Sequence, residues 1–91
     1  IECLQAAGES MGFDGATARK LAIDTVLGAA RLAAASDESP AVLRERVTSK
    51  GGTTAAALAS FAADGFPAVV ERAVRAAEAR GRELGDQLGR D

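Results

Sequence analysis

Residues 47–58 read "VTSKGGTTAAAL", which places Ser49, Lys50, Gly51, Gly52, Thr53 and Thr54 directly before an alanine run. This is the part of the chain where residue types and spacing can do chemistry. The first N–H groups of a helix have no partner inside it. Together with the helix dipole they form a site for an anion. Gly51 and Gly52 allow unusual backbone angles, and neither has a side chain to block a ligand. Ser49, Thr53 and Thr54 add hydroxyls that donate or accept, and Lys50 adds a positive charge. The set suits a small carboxylate or phosphate. A purely structural account also covers it: Gly-Gly makes a turn, and Ser or Thr caps the following helix. The stretch is not a P-loop, because no Lys follows the second glycine and no strand precedes it. No G-x-G-x-x-G fingerprint occurs anywhere, so these residues hold no nucleotide-binding domain of the Rossmann kind.

The elements that must position this turn are helical. Five helices and no strand are expected. The first covers Ile1 to about Met11 and ends near Gly12. The second is capped by Asp14 and continues to about Ser36. Its middle, "LAIDTVLGAARLAAA", is apolar on nearly every side. At roughly 22 residues it would be about 33 Å long. A helix that is apolar all round is buried all round, so an identical subunit is the simplest cover. Gly28, in mid-helix, suggests close helix approach. Asp24 and Thr25 read as a hydrogen-bonded polar pair, buried or at an interface. Cys3 reads as a small helix-packing residue.

Ser39 and Pro40 open a short third helix that ends about Val47. The fourth starts at the glycine pair and stops at Gly65 in a left-handed conformation. The fifth starts at Pro67 and runs to about Leu88. Val70, Val74, Ala77, Gly81, Leu84 and Leu88 fall on it at heptad spacing. Ordinary helix packing is the simpler account of that seam. The charges from Glu71 to Glu83 read as a solvated face with local pairs.

Composition narrows the classes. The 91 residues amount to one small domain. Of these, 22 are alanine and only three are aromatic, so the core must be thin and partners are the usual remedy. Basic and acidic residues number 11 and 13 and are interspersed, giving a net charge of -2 with no basic face for nucleic acid. There is no His, which removes the commonest general base and the commonest zinc ligand. Cys3 alone makes no internal disulfide, which fits a reducing, cytoplasmic setting. No apolar run approaches the roughly 20 residues of a membrane span. The chain opens inside what reads as a helix, with no Met or cap before Ile1, so its start reads as a cut.

The segment "LRERVTSKGGTTAAAL", Leu43 to Leu58, resembles the signature of pyrroline-5-carboxylate reductases: Val-Thr-Ser, a variable residue, Gly-Gly-x-Thr, then a small apolar helix. Many members have Pro where this chain has Lys50. The resemblance continues in order along the chain. "DTVLGAARL" resembles the family's long dimer helix, "SPAVLRERV" the short helix before the signature, and "GFPAVVERAVRAAEARGREL" its closing helix. The Ser-Gly-Ser-Gly-Pro segment that the family carries just upstream is absent.

The resemblance implies an all-α fold, the helical C-terminal dimerisation domain of this reductase type, a helix bundle like the C-terminal part of 6-phosphogluconate dehydrogenase. It covers residues 1–91, without the N-terminal Rossmann domain. It implies reduction of L-1-pyrroline-5-carboxylate to L-proline, the last step of proline biosynthesis. NADPH or NADH would be bound mainly by the missing domain, with no cofactor-binding residue and no metal in this chain. The partner would be a second copy, in a homodimer or a ring of dimers, with no nucleic acid or membrane involved. Carried over by position, Ser49, Gly51, Gly52, Thr53 and Thr54 form the substrate site. In it, Ser49, Gly52 and Thr53 hold the carboxylate, largely through backbone N–H groups. Thr54 is the catalytic residue, its hydroxyl at the ring nitrogen. The alternative is a helical oligomerisation module with no chemistry of its own.

Overall fold

The computed structural model describes residues 1–89 and places them in five helices, with no strand among the described residues. The chain divides into two compact units, one spanning Ile1–Val47 and the other beginning at Thr48.

The first unit holds α1 (Glu2–Ser10), α2 (Gly15–Ala34) and α3 (Pro40–Val47). After α1 the chain turns at Gly12, whose φ is +105°, a region that favours glycine. The Phe13 N–H reaches back to the Gly8 carbonyl at 3.1 Å. Asp14 then caps α2 by accepting the Thr17 N–H at 2.8 Å. That hydrogen bond holds the Asp14 carboxyl below its ordinary value. Ser39 caps α3 in the same way, its hydroxyl accepting the Val42 N–H at 3.2 Å, with Pro40 at the first helical position. The Arg46 guanidinium pairs with Glu38 at 3.1 Å and links the two ends of α3.

Helix α1 packs on α2. Ala18 and Ala22, one turn apart on α2, are the only buried apolar residues among those described. A Cβ on Gly8 would lie 3.2 Å from the Ala18 Cβ, so glycine is what lets the two helices come this close. Within this chain close approach falls at Gly8, and a Cβ on Gly28 would meet nothing within 4 Å. Asp24 and Thr25 do not hydrogen-bond to each other and are not buried within this chain. Both are exposed: Asp24 binds Lys20 at 2.7 Å, and the Thr25 hydroxyl donates to the Leu21 carbonyl at 2.7 Å. The i,i+4 geometry of a helix brings these partners together, whereas adjacent residues point apart. The Asp24 contact raises the Lys20 pKa above its usual value. Cys3 is exposed in the single chain.

The second unit holds α4 (Thr53–Ala63) and α5 (Phe66–Gly89), which pack on each other. Gly65, with φ +70°, makes the left-handed stop that the sequence suggests. Phe61 and Phe66 meet across that stop with ring centroids 4.6 Å apart. Along α5, Glu71 pairs with Arg75, Glu78 with Arg82 and Arg80 with Glu83, all on a solvated face.

Large apolar side chains remain on the surface in both units. On α2 these are Leu21, Val26, Leu27 and Leu32; on the α5 seam, Val74 and Leu88 are 62% and 76% exposed. A surface this rich in large apolar groups is the mark of an interaction face. Among the described residues no single helix is long and apolar enough to cross a membrane. Only α4 and α5 together reach that length and composition, and they meet at a 58° bend.

Candidate functional site

The helix starts differ: α1 has no side-chain cap, and α5 follows Gly65, whose carbonyl accepts the Val69 N–H at 3.1 Å. The starts of α2 and α3 are closed by the side chains of Asp14 and Ser39. Helix α4 starts at Gly52, which has no side chain to cap it. The Gly52 carbonyl accepts the Ala56 N–H at 3.1 Å, the first bond of the helix. The N–H groups of Thr53, Thr54 and Ala55 precede that bond and are the orphan donors of this helix start.

A tight turn delivers the chain to this point. The Ser49 carbonyl accepts the Gly52 N–H at 3.0 Å. Gly51 has φ +77°, and among the described residues none other than glycine has a positive φ. These features define a type II turn over residues 49–52, with Gly51 at the position that requires left-handed backbone. Lys50 holds the position at which such turns favour Pro.

The turn and helix start bring Ser49, Gly51, Gly52, Thr53 and Thr54 together within one unit. The Ser49, Thr53 and Thr54 side chains are exposed, and none makes a hydrogen bond among the described residues. One detail bears on the positional carry-over. The Gly52 N–H closes the turn, so the donors left at the helix start are those of Thr53, Thr54 and Ala55. A second detail was not legible in the sequence. A Cβ at Gly52 would fall on the Ser49 hydroxyl and lie 3.2 Å from the Ser49 carbonyl oxygen.

The two grooves of the first unit have other characters. One, of 280 Å³, lies between α2 and α3 and is lined by apolar residues and Arg44. The other, of 120 Å³, borders the Gly8–Ala18 contact. No group of three His, Cys, Asp or Glu residues able to hold a metal occurs among the described residues. The chemistry available at the α4 start is therefore that of amide and hydroxyl donors at a positive helix end, which suits a carboxylate.

Fold and site together define an all-helical domain in which α4 has an open, glycine-led start. A family model described as pyrroline-5-carboxylate reductase dimerisation matches residues 1–84. The chain belongs to the pyrroline-5-carboxylate reductase dimerisation family. It is 49% identical over 89 residues to the pyrroline-5-carboxylate reductase of Pseudomonas aeruginosa, covering 98% of this chain and 33% of that protein. It is 42% identical over 84 residues to the enzyme of Arabidopsis thaliana, covering 92% of this chain and 30% of that one. A solved structure of Plasmodium falciparum pyrroline carboxylate reductase with NADP bound matches with a TM-score of 0.79 at 31% identity. That match covers 82% of this chain and 30% of the other. The chain thus spans about a third of the length of the relatives it matches.

Proposed function

We propose that this domain forms the dimer and the substrate site of a reductase that converts L-1-pyrroline-5-carboxylate to L-proline. The observation that carries the reading is the uncapped start of α4, in a chain of this family. The substrate carboxylate rests on the Thr53 and Thr54 N–H groups, with the Ser49 hydroxyl as a further donor. Gly51 supplies the left-handed backbone of the turn. The Thr54 hydroxyl lies at the ring nitrogen. NADPH or NADH, held mainly outside this chain, would supply the hydride for the imine carbon when bound. The electrons of the C=N bond then move to nitrogen, which takes a proton, and a hydroxyl donor at that atom eases the change. These residues carry no dinucleotide fingerprint, in keeping with a cofactor held elsewhere.

The exposed apolar residues of α2 and α5 support a homo-oligomer, built from a dimer through the helices. The same exposure favours a second reading, an oligomerisation module that does no chemistry itself. No nucleic acid or membrane enters either reading, and both place the protein in the cytoplasm.

Two measurements test the proposal. Light scattering on the chain at micromolar concentration should give a dimer mass; a helical monomer would defeat the assembly. The protein carrying this domain together with its nucleotide-binding part should oxidise NAD(P)H in the presence of pyrroline-5-carboxylate. Assembly without turnover would leave the oligomerisation reading.

A further inference from the structure

We propose that Gly52 is the positioning residue for the Ser49 hydroxyl, and that its role is distinct from that of Gly51. The two adjacent glycines are required for opposite reasons. Gly51 has φ +77°, which only glycine adopts readily, yet a Cβ there would meet nothing within 4 Å. Gly52 has φ −85° and ψ −177°, extended backbone open to any residue. There the conflict is one of space, because a Cβ would fall on the Ser49 hydroxyl. The Gly52 amide is already engaged in the turn. What Gly52 contributes is an empty volume, and the Ser49 hydroxyl occupies it.

An alanine at position 52 has a low-energy way to fit. Ser49 rotates its hydroxyl to another staggered χ1 position, a smaller change than breaking the turn. The 3.2 Å approach to the Ser49 carbonyl needs a shift of only a few tenths of an ångström. The turn therefore persists while the hydroxyl moves. The consequence for binding rests on the reading of Ser49 to Thr54 as a carboxylate site. On that reading Gly52→Ala and Ser49→Ala remove the same interaction, one by displacing the hydroxyl and the other by deleting it.

The test uses the chain in solution with L-proline as the probe. Three-bond NMR couplings report the Ser49 χ1 in wild type and in Gly52→Ala. L-Proline is then titrated against wild type, Ser49→Ala, Gly52→Ala and the double variant. The expected results are a changed Ser49 rotamer in Gly52→Ala and an affinity loss of about threefold to tenfold in each single variant, the worth of one hydrogen bond. The double variant should lose no more than either single one. An unchanged rotamer would overturn the proposal. So would a double variant that loses the product of the two single effects, because the new Cβ would then be meeting the ligand directly. If Gly52→Ala loses its helices, recovery of helicity by adding Ser49→Ala supports the pairing, and no recovery overturns it. A wild-type chain that fails to bind L-proline defeats the carboxylate reading, and the rotamer measurement still decides the positioning claim.

Discussion

Helix α2 and helix α4 are started in opposite ways, and on the proposed function the contrast separates residues kept for folding from residues kept for binding. At α2, Asp14 spends its carboxylate on the Thr17 N–H, and the helix then packs against α1 through Ala18 and Ala22. Its first turn is closed to any other anion. At α4 the cap is a glycine with no side chain, the preceding turn needs left-handed backbone, and three hydroxyls stand exposed and unpaired. No residue of α4 is buried. Glycine at this position gives up only a few tenths of a kcal/mol relative to a capping side chain, and on the proposed reading it leaves the helix-start donors to a ligand.

The largest expected effect probes the open start. In the enzyme carrying this domain, Thr54→Ala should lower turnover by about 10²–10³-fold with little change in fold, the usual loss for one well-placed donor. Thr54→Ser should retain much of the activity. Wild-type turnover in the alanine variant would reduce Thr54 to a residue of the helix start and blur the contrast with α2.

The next effect probes the packed region. Gly8→Val drives two extra methyl groups toward the Ala18 Cβ, already 3.2 Å from where a Cβ would stand. Thermal or urea unfolding should show a loss of about 1–3 kcal/mol, as overpacked contacts do. Gly28→Ala, which meets nothing within 4 Å, should cost nothing within this chain. A loss there specific to the assembled form would place a partner helix against it.

Two smaller changes sharpen the description of the turn. Gly51→Ala must hold an L side chain at φ +77° and should destabilise by roughly 1 kcal/mol. Lys50→Pro occupies the position that type II turns favour for Pro and should stabilise by about 0.4–1 kcal/mol, through a less flexible unfolded chain. Denaturation midpoints moving in opposite directions would support the turn assignment; a destabilising Lys50→Pro would refute it.

The smallest effect concerns the α2 cap and pH. The Asp14 carboxyl is held below its ordinary 3.8 by the Thr17 N–H. A carboxylate with a lowered folded value stabilises fully above the unfolded value and loses that contribution as pH falls through the folded one. The melting temperature of wild type relative to Asp14→Ala should therefore be steady well above 3.8 and converge as pH falls below it. Asp14→Asn, which caps without titrating, should not converge in this way.

Much of this molecule was legible in the sequence because its signals are local. Asp14, Ser39 with Pro40, Gly12 and Gly65 bound their helices as capping chemistry demands, and the i,i+4 charges of α5 pair as helical spacing requires. The stretch from Ser49 to Thr54 could be singled out for the same reason: glycines, hydroxyls and a helix start are all adjacent in the chain. What tertiary structure alone decided involves distances between groups that sequence spacing does not encode. Gly8 meets Ala18 because α1 folds back on α2, and only that crossing shows which glycine the packing needs. The small residues Gly8, Ala18 and Ala22 were a signal, but one of many in a chain so rich in alanine. Asp24 turned to Lys20 and Thr25 to a backbone carbonyl, because neighbours in sequence diverge around a helix. Gly51 and Gly52 look alike as letters. Backbone angles and the position of one hydroxyl distinguish them: the first is glycine for its conformation, the second for the space that Ser49 fills.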